Sequence, residues 1–310
     1  MSINPNPNVH ASPVAEGVRF QIGSATAFAV RKESKDVALR LRREFHPARD
    51  TMERIPFVRG IVRLVGGTAD FLDGVAESAQ LMPQQIVKGS RFEQRFAELF
   101  RGRPTSLVAA GSAFVILLFL GALVGVGPWA LVRYVLPRYV LPRYELTRPA
   151  INAIACAARV LCGLLCAVLI PRLRILNRFC MYRGAINKVL NATAAEGGSA
   201  SQERSEKASH LSRKSDAAFA VEVLLLSVIA FALVRTFTLP VQLLVRALSV
   251  LIIAAVLNEP LRLLENAKPN GLVNFLLAFH LWLERRLVRE PHPQMVEVAV
   301  YAYNAALENR

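Results

Sequence analysis

The sequence predicts a mainly α-helical fold: a polytopic membrane bundle of about four transmembrane helices, with a small N-terminal antiparallel β meander and amphipathic interfacial helices. Three observations predict it. Apolar residues make up 53% of the chain, and they gather in four blocks instead of spreading at a helical or strand period. Each block is long enough to cross about 30 Å of hydrocarbon. Basic residues flank the blocks, and period-two alternation marks the region before them.

Residues 1–15 are polar, rich in Asn and Pro, and lack the apolar core of a secretory signal, so they read as a disordered leader kept inside the cell. Three alternating runs follow: Val18, Phe20 and Ile22, then Thr26, Phe28 and Val30, then Val37, Leu39 and Leu41. Gly23-Ser24 and the charged Glu33-Ser34-Lys35-Asp36 separate them, which predicts a meander within a cytoplasmic segment over 16–104. From Pro56, Phe57, Ile61, Leu64, Val65, Leu72 and Val75 recur at helical spacing with Arg59, Arg63, Asp70, Asp73 and Glu77 elsewhere on the wheel. This amphipathic helix suits either the membrane interface or the protein's own cap. A shorter amphipathic stretch carries Phe92, Phe96, Leu99 and Phe100.

The first spanning block, about Ser106 to Val132, contains no charge. The second, about Pro149 to Ile170, contains Arg159; the third, about Ala217 to Val234, contains Glu222; the fourth, about Leu239 to Leu257, contains Arg246. These divide the chain into a hairpin over 105–170, a basic cytoplasmic loop over 171–215, a second hairpin over 216–258 and a C-terminal segment over 259–310. The loop holds Arg172, Arg174, Arg178, Arg183, Lys188, Arg204, Lys207, Arg213 and Lys214. Basic loops are retained in the cytoplasm, so both termini are expected there. Between the first two blocks, Val135-Leu-Pro-Arg-Tyr139 repeats as Val140-Leu-Pro-Arg-Tyr144, and its prolines rule out a regular helix. Beyond the fourth, Leu272, Phe275, Leu276, Phe279, Trp282 and Leu283 predict an interfacial helix, ending in Arg285, Arg286 and Arg289, which suit anionic headgroups. A last helix begins near Pro293.

The formal charge of +15 raises nucleic acid as a partner. The basic residues flank apolar blocks and form no aromatic-interleaved patch, so the bilayer and its anionic headgroups are the expected partners instead. The cysteines Cys156, Cys162, Cys166 and Cys180 do not form a disulfide framework. Nucleotide loops, catalytic serine elbows and zinc-protease helices are missing, and His10, His46, His210, His280 and His292 show no ligand-pair spacing. Ionisable groups inside a span carry a function or a partner. A rise of about 1.5 Å per residue puts Arg159 and Glu222 within roughly 10 Å in depth, which predicts that they pair.

Several segments resemble the YqhQ-like membrane proteins, a domain of unknown function (1385) described as a predicted metal-dependent enzyme. Ala15-Glu-Gly-Val18, Ala27-Phe-Ala-Val-Arg31 and Pro56-Phe-Val-Arg-Gly60 are similar to its N-terminal motifs. Asn258-Glu259 with Leu261-Arg-Leu263 resembles the end of its last span, and Arg289-Glu-Pro291 with Glu297-Val-Ala299 its C-terminal signature. The resemblance implies a divalent metal held by a run reading roughly Tyr-His-Gly-Ala-Glu-His-Lys. This chain has Tyr182-Arg-Gly-Ala-Ile-Asn-Lys188 there, with Arg183 and Asn187 at the ligand positions, and Ser212-Arg-Lys-Ser-Asp216 near the position where the family carries a later His-Pro-Arg-Cys-Gly segment. Arginine offers only donors and a fixed positive charge, so no metal or other cofactor is expected.

The leading reading is a divergent, non-catalytic member of a bacterial plasma membrane, whose cap and basic loop bind or regulate a membrane-protein partner. The alternative is a membrane-embedded metal-dependent enzyme acting on a lipid-linked or membrane-protein substrate. Its candidate residues are Glu16, Lys188, Glu259, Arg289 and Glu290, with Glu297 as a further carboxylate for a hard divalent ion. A second alternative, a small transporter, would use Arg159 or Glu222.

Overall fold

The structure is a computed structural model describing residues 9–31, 36–43, 47–81, 138, 147–172, 174–196, 198–233, 239–268 and 270–310. The first apolar block, the stretch from Phe92 to Phe100 and the tandem repeat other than Arg138 lie outside the described residues. The fold is mainly helical with one small antiparallel sheet.

The sheet is a meander of β1 (Val9–Val14), β2 (Gly17–Ile22), β3 (Ala25–Arg31) and β4 (Val37–Arg43), paired in chain order. Three strands follow the predicted alternation. β1 is a departure, because the expected leader over 1–15 supplies it. Its Pro13 lies opposite Val18 on an edge strand, where a missing N–H is tolerated. Ile22 faces Ala25 across a two-residue turn whose first residue, Gly23, has φ 62°, a conformation glycine adopts without penalty.

Two helices cover one face of the sheet: α4 (Arg174–Glu196) and α10 (Pro293–Glu308). Val18, Phe20, Ile22, Ala27 and Ala29 meet Tyr182, Ile186, Val189, Val296, Ala299 and Tyr303 in the main core, with Phe20 edge-on to Tyr303 at 5.6 Å. Proline in the first turn of α10 starts that helix near the predicted position. The expected basic loop over 171–215 is therefore largely a core helix. Tyr182, Ala185, Ile186 and Val189 form one apolar stripe at helical spacing, and the charges flank it.

The opposite face of the sheet packs on α2 (Val58–Leu81), which also leans on β1 and on α7. Gly66-Gly67 do not interrupt α2. Of the two predicted settings for this helix, the structure has the second, packing on the protein. A short helix, α1 (Pro47–Met52), precedes it.

Below the cap lies a layer of helices: α3 (Arg148–Leu169) with the 3-10 turn Ile170–Arg172, α6 (Asp216–Leu233), α7 (Leu239–Asn266), α8 (Gly271–Leu276) and α9 (Ala278–Leu287). The short α5 (Gln202–Lys207), capped by Ser201, leads toward α6. Phe219, Val223, Ala254, Leu261, Val273 and Leu277 form the layer's core. α7 continues through Pro260. At Gly60 the layer meets α2 so closely that a Cβ would fall 2.3 Å from the Ala254 carbonyl oxygen, so the position excludes any side chain. Among the described residues, one helical segment, Leu244–Asn266, is long and apolar enough to cross a membrane, and Ala153–Leu169 is a shorter apolar helix.

The segment predicted to lie in the interface splits into α8 and α9, and its apolar residues divide. Leu272, Phe275, Leu276 and Phe279 face outward, Phe275 with 76% of its surface exposed, while Leu277 and Leu283 point inward beside His280 and Glu284.

Candidate functional site

Polar side chains concentrate in two seams between the cap and the helical layer. The first is centred on Arg63 of α2. Its guanidinium donates to Asp216 (2.8 Å), Glu265 (3.0 Å) and Asn258 (3.2 Å) and lies over the Phe219 ring at 4.6 Å. One cation thus ties α2 to both α6 and α7, and Arg183 from α4 approaches the other oxygen of Asp216 at 3.8 Å. Above it, Asp70 forms ion pairs with Arg19 and Arg49, both at 2.9 Å, binding α2 to the sheet and to α1. Arg49 contacts Nδ1 of His10 at 3.3 Å. Arginine only donates, so that nitrogen is an acceptor and the ring carries its proton on Nε2, 3.6 Å from Glu53. Burial, with the Arg49 charge, holds the imidazole below its ordinary pKa against the pull of Glu53 and Asp70.

The second seam joins α4 to the segment around α9. Asn187 donates to Glu284 Oε1 at 2.8 Å and to the His210 carbonyl at 2.9 Å. Lys188 reaches Glu290 at 2.7 Å and the Glu206 carbonyl at 2.8 Å, and His210 pairs with the other oxygen of Glu290. Glu284 has no exposed surface, and its Oε2 lacks a partner among the described residues. The seam closes on a backbone contact: a Cβ on Gly184 would fall 2.2 Å from the Arg289 carbonyl, and the Arg289 N–H donates to the Cys180 carbonyl at 3.2 Å. Burial pushes the Cys180 thiol up to about 11, with the opposing Arg289 charge the weaker influence, so the sulfur stays protonated and unreactive.

The sequence-predicted residues are distributed along these seams and do not converge on one point. Glu16, at φ 56° in the β1–β2 turn, pairs with Arg178. Glu259 pairs with Arg59 and accepts the Phe57 N–H at 2.9 Å, supporting the left-handed φ of 65° through which the chain enters α2. Glu297 holds Arg31 at 2.6 Å, and Glu290 holds Lys188 and His210. Arg289 is exposed at the end of α9.

The intramembrane candidates also separate. Glu222 does not pair with Arg159. His280 of α9 takes that place at 3.1 Å, with both side chains almost fully buried. Equal depth along two helices does not fix which faces meet, and a third helix reaches Glu222 first. Arg159 is half-buried on α3, and Arg246 lies over the Phe231 ring at 5.4 Å. His280 and Glu284 escaped the sequence reading, although their four-residue spacing places both on one helix face.

The divalent metal implied by the resemblance does not fit these residues. Both oxygens of Glu290 are taken, one by Lys188 and one by His210, and Glu284 Oε1 is taken by Asn187. Arg183 brings positive charge to one of the two positions where an ion would need lone pairs, and at the other Asn187 turns its amide N–H, not a lone pair, to Glu284. Among the described residues no three His, Cys, Asp or Glu side chains are grouped to hold an ion.

No curated protein and no solved structure matches the chain. A family match does cover α2 and all the described helices after it, with Arg63 and its partners and the whole second seam, and leaves out the sheet and α1. On that match the chain belongs to the family described as Protein of unknown function (DUF1385), which it matches over residues 55–309.

Proposed function

We propose that this chain is a multi-pass protein of the plasma membrane, with four spans and cytoplasmic termini, whose cap acts as an interaction module and not as a catalyst. The membrane assignment is supported by the outward apolar stripes of the helical layer: Leu161, Leu165 and Leu169 on α3, Leu224, Leu226 and Ile229 on α6, and Leu244, Leu248, Ile252 and Val256 on α7. Such continuous exposed apolar surface is unfavourable in water and favourable in lipid. The charge-free block over 106–132 supplies the remaining span.

One observation carries the non-catalytic assignment. The guanidinium of Arg183 stands beside Asp216, and the Asn187 amide donates to Glu284. A cation and an amide donor thus occupy the two positions where the implied run places its metal ligands. What remains is a cap bolted to the helical layer by ion pairs, suited to present a fixed surface at the membrane face.

Metal analysis of the full chain in mild detergent tests this directly. The expected result is less than a tenth of an equivalent of zinc, manganese or iron, on the order of adventitious carry-over, and a thermal midpoint unmoved by chelator. About one equivalent of metal, lost on Glu284→Gln or Glu290→Gln, would establish the metal-dependent enzyme instead.

A further inference from the structure

Where α3 ends and α9 turns toward the cap, a cavity of about 440 Å³ opens at the edge of the molecule. Its size is within the roughly 300–1,000 Å³ of small-ligand sites. Arg172, Arg285, Arg286 and Arg289 line it together with Asn177 and Glu290. None of the four arginines pairs with a carboxylate among the described residues, and the one acid in the wall is already held by Lys188 and His210. Several other described arginines are matched by acids: Arg63 has two, and Arg19, Arg31, Arg49, Arg59 and Arg178 have at least one each. The basin therefore concentrates uncompensated positive charge, and forked donors in this number suit a phosphate.

Its surroundings specify the bearer of that phosphate. Leu165 and Leu169 stand exposed on α3 just before the 3-10 turn carrying Arg172. Phe279, half exposed, stacks on Trp282 at 6.0 Å, and Arg286 lies 5.8 Å over the Trp282 ring. Apolar surface thus runs up to the arginines from both walls, as acyl chains leading to a headgroup require.

We propose that this basin is a binding site for one anionic glycerophospholipid of the cytoplasmic leaflet. Its phosphate lies among Arg172, Arg285, Arg286 and Arg289, and its acyl chains lie along Leu165, Leu169 and Phe279. The proposal rests on the membrane reading above, and its test separates the two: dispersal of the chain in water without detergent overturns the membrane reading, whereas the comparison below is made on detergent-held protein.

The chain has two tryptophans, so Trp129→Phe leaves Trp282, which borders the basin, as the sole indole reporter. The full-length variant in mild detergent is titrated with short-chain phosphatidylglycerol, with phosphatidylcholine and with inorganic phosphate. Phosphatidylglycerol is expected to give a saturable change in Trp282 emission, with phosphatidylcholine at least about tenfold weaker, because its choline cation offsets the phosphate charge, is repelled by the four arginines and offers no hydroxyl. Arg285→Gln with Arg289→Gln weakens the phosphatidylglycerol response by a similar factor, and Arg262→Gln, an exposed arginine on α7, leaves it unchanged. Coincident curves for the two lipids overturn the proposal without reference to any variant. An unchanged response in the folded double variant also overturns it, and an equal response to inorganic phosphate reassigns the basin to the free anion.

Discussion

The cap and the helical layer are built on opposite plans. In the cap the large apolar side chains Phe20, Phe28, Tyr182 and Ile186 are buried, while charges such as Arg40, Arg42 and Asp73 stand toward solvent. In the layer, outside its small apolar core, many large apolar side chains face out, Ile252 with 61% of its surface exposed, and the polar groups Glu222, Asn258, Glu265, His280 and Glu284 are turned in. A polar side chain buried without water is held only by a partner, and an apolar one leaves the interior only where its surroundings are also apolar. On the membrane reading proposed above, the same chain is fitted to two solvents. The Arg63 and Asn187 seams lie where those solvents meet.

This contrast is open to several perturbations. The largest expected effect is at the joint. Arg63→Ala leaves the buried carboxylate of Glu265 without its cation, and breaking a buried pair costs about 3–5 kcal/mol. Chemical denaturation in mild detergent should show that loss. A change below about 1 kcal/mol would mean that the cap is not held by the seam.

Next, Ile252→Asp places a charge on the outward face of α7 and should disfavour membrane insertion by roughly 2.5–3.5 kcal/mol. Tyr301→Asp, on an exposed position of α10, should alter stability by less than about 0.5 kcal/mol. Equal tolerance at the two sites, read as the fraction retained in washed membranes, would erase the difference between the regions. A smaller effect is expected at Glu284→Ala, which strands the Asn187 amide and should destabilise by about 1–3 kcal/mol.

The smallest effect concerns pH. The folded pKa of His10 lies below its ordinary value, so above roughly pH 6.5 the ring is neutral in both states and contributes no penalty. As pH falls below that, the unfolded chain takes up the proton first and stability drops until the folded pKa is passed. His10→Gln should flatten this acid slope in a series of thermal midpoints.

Much of the cap was legible in the sequence because its physical signals are local. Alternation exposed β2, β3 and β4, and Gly23 marked a hairpin. β1 was hidden because an edge strand tolerates the proline and polar residues that otherwise mark an unstructured leader. α4 was hidden by charge. Its stripe of Tyr182, Ala185, Ile186 and Val189 has helical spacing, but the surrounding arginines and lysines gave the segment the composition of a basic loop. Gly60 and Gly184 belong to the motifs that carried the resemblance, and the structure supplies a packing reason for each: backbone carbonyls at 2.3 and 2.2 Å from where a Cβ would be.

The ionic seams were much less legible. Glu222 and His280 are 58 residues apart and Arg63 and Asp216 are 153 apart, so no local pattern joins them. Depth in the membrane suggested Arg159 for Glu222, but depth is one coordinate and pairing needs three. The clearest missed signal was on α9, where His280 and Glu284 interrupt an apolar run four residues apart. On a helix whose apolar face is turned to lipid, such a pair marks the side that faces protein.

The central claim, that the two regions face different solvents, is tested most directly by spin-label accessibility in lipid bilayers. Labels are placed singly at Leu165 and Ile252 in the layer and at Tyr301 in the cap, after replacement of the four native cysteines. The account predicts that labels at Leu165 and Ile252 relax through oxygen and are shielded from a water-soluble nickel chelate, with the reverse at Tyr301. Chelate access at all three positions would contradict it.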